Sequence, residues 1–179
     1  MNADLRALAE GYWKAELASS PINALMLGIH DYDEEMDDAS LEAEDERIVE
    51  LRDFAAKSAA FDAGSLSPDD RITRDVMIHE AATTADVLEM REAELAVNHA
   101  IGFQAMLPVL FPQLPIDEPE HAEAMLVKYP KFATFFRQMT DRLRSGVAGH
   151  RTPMASTAEK VVEQLDGYLG TAPDRKSVV

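Results

Sequence analysis

His79 and Glu80 stand side by side in Met-Ile-His-Glu-Ala-Ala-Thr, residues 77–83, a stretch with helical spacing. In an H-E-x-x-H motif two imidazoles one helical turn apart converge on a zinc ion, and the Glu between them activates the metal-bound water. Four residues after His79 comes Thr83, whose hydroxyl is a poor zinc ligand, so the motif lacks its second half. His79 falls on an apolar stripe formed by Ile72, Val76, Thr83, Val87 and Met90. On that stripe it is expected to face inward, packed and hydrogen-bonded rather than ligating.

The acidic loop from His30 to Asp38 is the second place where chemistry is conceivable. Counted from Asp31, carboxylates fall at positions one, three, five and seven, and Glu42 falls at position twelve, as in a calcium-binding EF-hand. Met36 occupies position six, where the sharp turn needs Gly, and Glu35 is longer than the usual Asp or Asn. A solvated acidic loop in front of a capped helix is the simpler reading, and calcium binding trails it. His30 and Tyr32, crowded with Asp33 behind Gly28, are better candidates to project polar groups into a cleft. His99, His121 and His150 are scattered, with no pair at i, i+4 on one helix. No nucleophile elbow, Walker loop or dinucleotide fingerprint occurs, so no catalytic and no metal-ligating residue is assigned.

The elements that must position these residues read as helices throughout. Leu5, Leu8, Tyr12 and Leu17 share one face of a first helix, with Trp13 as its largest anchor. Ser20-Pro21 restarts the chain as a short helix to Leu27, which Gly28 closes. Ser40 caps a helix carrying Ile48, Leu51, Phe54 and Phe61, and Ser67-Pro68-Asp69-Asp70 opens a long one to about Met90. Residues 101–114, IGFQAMLPVLFPQL, are the most apolar stretch, too short for a bilayer span of roughly 20 residues. Ile101, Phe103, Leu107, Leu110 and Phe111 are therefore expected to be buried, in the core or against another surface. Asp117 is expected to cap a short helix to about Val127, with a turn at Tyr129-Pro130. A further helix carries Phe132, Phe135, Phe136, Met139 and Leu143, and a last one from Pro153 turns Val161, Val162, Leu165, Tyr168 and Leu169 inward. With no strand pattern the chain is all-α, a bundle-like array of about six to eight helices: one domain over residues 1–170 and a polar tail over 171–179.

Composition narrows the function classes. The 179 residues carry a formal net charge of -16, which repels nucleic-acid phosphates and anionic lipid, and no basic patch offsets it. The absence of cysteine excludes disulfides, thiolate metal sites and cysteine nucleophiles together. The charged N-terminus has no apolar signal region, so a cytoplasmic protein is expected, with neither nucleic acid nor membrane as partner.

Taken in order, several stretches resemble a known family. Trp13, the run Ser20-Pro21-Ile22-Asn23-Ala24-Leu25-Met26-Leu27-Gly28-Ile29-His30-Asp31-Tyr32-Asp33 and Asp38-Ala39-Ser40 resemble the opening of the bacterial "domain of unknown function 885" family. Leu66 to Arg71, Val97-Asn98 with Gly102 and Pro108, Tyr129-Pro130, Leu143 to Gly146, Pro153 and Val162 to Leu165 are similar to its following segments. The likeness covers nearly the whole chain and about the first third of the family. It implies a helical set of zincin-like zinc metallopeptidases whose H-E-x-x-H-type motif lies in a later part; His79-Glu80 does not stand where that motif stands. The chain then reads as the non-catalytic N-terminal helical region of a zinc-dependent peptidase-like protein, with no cofactor of its own. Its partners would be the catalytic half or a second copy of itself, through the 101–114 segment, and a peptide substrate in the intact protein, with His30, Tyr32 and Asp33 at the cleft edge. The alternative is a free-standing all-α interaction module without enzymatic activity.

Overall fold

The computed structural model describes residues 2–170, and the expected tail at 171–179 lies outside the described residues. Among the described residues seven α-helices follow one another: α1 Ala3–Ser19, α2 Pro21–Met26, α3 Leu41–Ala59, α4 Pro68–Glu89, α5 Phe103–Leu110, α6 Pro119–Ala148 and α7 Ala155–Gly170. Among the described residues there is no strand, so the all-α reading holds. No helix among them is long and apolar enough to cross a membrane.

The helix starts follow their caps. Asn2 Oδ1 accepts from the N–H groups of Asp4 and Leu5, Ser40 from Ala43, and Ser67 from Asp70, satisfying donors that the first turn leaves free. Gly28 closes the α2 turn at φ 73°, a left-handed conformation that a side chain would strain.

α3 and α4 pack as the tightest pair, and Leu51, Ala81 and Ala85 form its fully buried centre, with Tyr12, Ile48, Phe54 and Leu88 against it. Tyr12 meets Phe54 edge to face at 5.4 Å. Burial, and then the neighbouring Glu16 carboxylate, pushes the Tyr12 hydroxyl up to about 12.

This packing overturns the inward stripe expected of α4. The buried face is Met77, Ala81 and Ala85, while Ile72, Val76, His79, Thr83, Val87 and Met90 are exposed. The physical reason is size: two alanines one turn apart let α3 approach closely, and Leu51 fills the groove they leave. Trp13 is likewise no anchor, being 50% exposed; Leu5 and Leu17 carry the burial of α1.

Two further expectations change. Residues 119–148 form one unbroken helix, with Glu118 rather than Asp117 at its N-cap and Pro130 inside it. Pro130 removes one backbone bond, yet Met125, Lys128, Phe135 and Arg142 are buried on both sides of it and hold the helix axis across the gap. α5 and α7 contain no fully buried residue: Val162, Leu165, Tyr168 and Leu169 do not turn into a core, and of the 101–114 segment Leu107 and Leu110 are half-buried while Ile101 is exposed. Toward its C-terminal end α6 meets the 3-10 turn Glu92–Leu95, where Gly146 passes so close that a Cβ would lie 2.5 Å from the Glu94 carbonyl oxygen. Glu44 ties α3 to this end, accepting from Arg91 at 2.5 Å and from the buried Arg142 at 2.7 Å.

Candidate functional site: a histidine and carboxylate cleft

After the Gly28 turn the chain enters a 3-10 turn, His30–Tyr32, which delivers His30 and Asp33 to the first turns of α6. There they meet His121. The two imidazole rings stack face to face, centroids 3.6 Å apart and planes 2° from parallel. Each ring has its own carboxylate: His30 Nδ1 lies 2.7 Å from Asp33 Oδ2, and His121 Nδ1 lies 3.0 Å from Asp117 Oδ1. An ionised carboxylate only accepts, so both Nδ1 atoms are the protonated ones and each neutral ring carries its lone pair on Nε2. Asp31, Glu34, Glu35, Glu120 and Ala124 complete an open cleft of about 320 Å³.

Asp33 is the best shielded member of the cleft. It is 5% exposed, and its Oδ1 has no hydrogen-bond partner. The Lys128 ammonium is also buried, at 1% exposure, and donates no hydrogen bond. Burial holds Lys128 below its ordinary value, opposed by the nearby carboxylates of Asp33, Asp37 and Glu35. The lysine stem also lines a small apolar cavity with Ile22, Leu25, Leu107, Leu110 and Phe132.

Three other acids of the loop, Glu35, Asp37 and Asp38, have partners of their own. Asp37 accepts from the Ser20 hydroxyl and the Ile22 N–H, each at 3.1 Å. Lys131 Nζ donates to Glu35 at 2.6 Å, and Asp38 accepts from the Ser40 N–H and from Gln138 Nε2. Of the carboxylates at EF-hand spacing, Asp33, Glu35 and Asp37 thus turn to His30, to Lys131 and to the start of α2 rather than toward one another.

Of the residues singled out beforehand, His30 and Asp33 lie in the cleft itself, and Tyr32 lines it while its hydroxyl reaches toward the Lys14 carbonyl at 3.5 Å. His121 and Asp117 were not singled out. Their i, i+4 spacing was the available signal, but it pairs a histidine with a carboxylate rather than with a second histidine. Among the expected interface residues Ile101 is 72% exposed, Phe103 packs edge to face on Phe135 at 4.7 Å, and Leu107 and Leu110 are half-buried. The Phe111 side chain lies outside the described residues. His79 and Glu80 are both exposed on α4 with Thr83 one turn on, so His79 is not the packed, inward-facing residue that the stripe predicts.

The fold and the cleft together define an all-helical protein with a paired histidine and carboxylate site. Residues 21–179 match the family described as "Bacterial protein of unknown function (DUF885)", and the chain belongs to that family. No curated protein and no solved structure matches it.

Proposed function

We propose that this chain is the non-catalytic N-terminal helical region of a zinc-dependent peptidase-like protein, packing on a part that carries the catalytic zinc motif. The observation behind this reading is the uncovered apolar surface of α5 to α7: Ile101, Val109, Leu126, Val162 and Leu169 all lie exposed within the family-matched residues. Where such side chains form one patch, another protein surface ordinarily covers it. In the intact protein His30, Tyr32 and Asp33 would edge the substrate cleft, while hydrolysis would belong entirely to the other part. The test is a peptide-hydrolysis assay on a longer family protein bearing H-E-x-x-H, beside the 179-residue chain. Zinc-dependent turnover by the former and none by the latter is expected. Turnover by this chain alone, or a natural product of only 19.8 kDa, contradicts the reading and turns attention to binding partners.

A further inference from the structure

We infer that His30, His121 and Asp117 form a binding site for a divalent transition-metal ion of the zinc, nickel or copper kind. One donor atom from each of the three lies within 4.8 Å of the other two, and among the described residues no other group of three His or acidic side chains is so arranged. The site is assembled from distant parts of the chain: His30 from the turn after Gly28, and Asp117 and His121 from the start of α6.

The donor chemistry selects the class of ion. Imidazole nitrogens suit zinc, copper and nickel, whereas calcium and magnesium take oxygen ligands. Histidine ligands in metal sites usually donate their second ring N–H to a carboxylate, which fixes the tautomer and leaves the other nitrogen free for the ion. His30 already has that arrangement, with Nδ1 on Asp33 and Nε2 free, while His121 Nδ1 lies 3.0 Å from Asp117 Oδ1, a ring nitrogen and a carboxylate oxygen side by side as donors. The rings lie parallel, so the His121 ring turns about its Cβ–Cγ bond when the ion enters and exchanges its hydrogen bond to Asp117 for coordination beside that carboxylate. A cation on His30 would also add positive charge beside the buried Asp33 carboxylate, whose Oδ1 has no hydrogen-bond partner.

The experiment uses the chelator-stripped 179-residue chain, titrated with zinc and with nickel by calorimetry. One equivalent of bound ion and a raised unfolding temperature are expected. His30→Ala and His121→Ala should each weaken binding tenfold or more. Asp33→Asn, which acts through His30 as a positioning residue, should weaken it by about 10–100-fold, and exposed His79→Ala should leave it unchanged. Copper bound to the unmutated chain should show nitrogen hyperfine splitting from two imidazoles in its electron paramagnetic resonance spectrum, a readout that does not depend on any variant folding. Absence of stoichiometric binding, a copper spectrum without two nitrogens, or undiminished affinity in a folded His30→Ala/His121→Ala double variant overturns the inference. None of these outcomes depends on whether a longer family protein cleaves peptides.

Discussion

The α3–α4 pair and the α5–α7 region use apolar residues in opposite ways. In the pair, modest side chains are wholly buried: Leu51 meets Ala81 and Ala85 across a close helix contact. In the α5–α7 region the chain is at its most apolar, yet neither α5 nor α7 has a fully buried residue, and Leu169 is 85% exposed. Hydrophobic content therefore does not identify the core of this protein; the room for close packing does. α3 and α4 complete each other, while α5 and α7 keep apolar side chains exposed.

That contrast can be broken at its strongest joint first. Glu44 holds Arg142, whose side chain is 3% exposed and whose Nε and Nη1 have no partner. Glu44→Gln leaves that guanidinium without its counter-charge, and a loss of about 3–5 kcal/mol is expected in urea unfolding. Leu51→Ala opens a cavity against Ala81 and Ala85 and should cost about 2–5 kcal/mol by the same measurement. In the other region, Ile101→Ser and Leu169→Ser should change the stability of the isolated chain by less than about 0.5 kcal/mol, because neither side chain is buried within it. Losses of 2 kcal/mol or more at those two positions would erase the distinction between the regions.

The smallest effect concerns pH. Burial raises the Asp37 carboxyl above its ordinary value of 3.8, against the hydrogen bonds from the Ile22 N–H and the Ser20 hydroxyl that lower it. The folded chain thus holds this proton more tightly than the unfolded chain. The stabilisation this gives is fully present below pH 3.8 and is lost as pH rises through the raised value. Asp37→Asn should remove that part of the pH dependence, so that its stability relative to the unmutated chain improves on going from acid to neutral pH. A relative stability that stays flat or falls over the same interval would show that burial does not raise the Asp37 carboxyl.

Much of the helical framework was legible in the residues. Ser40, Ser67-Pro68 and Gly28 marked the ends of α2, α3 and α4 because capping is local chemistry that a few neighbouring side chains decide. The face of α4 was not legible, because a stripe of Ile, Val and Met looks more apolar than one built on alanine, whereas a close helix crossing favours the small side chain. The continuity of α6 through Pro130 was hidden for a similar reason: tertiary burial of Met125, Lys128, Phe135 and Arg142 outweighs one missing backbone bond. His30 was a visible candidate, but its stacking on His121 joins residues far apart in sequence and belongs to the fold rather than to any motif.

The most direct measurement is amide hydrogen exchange on the 179-residue chain and on a longer family protein. The account predicts that α3 and α4 exchange slowest in the short chain, that α5 and α7 exchange much faster, and that only α5 and α7 slow to match them in the longer protein. Equal protection of all four helices in the short chain, or unchanged exchange of α5 and α7 in the longer one, would contradict it.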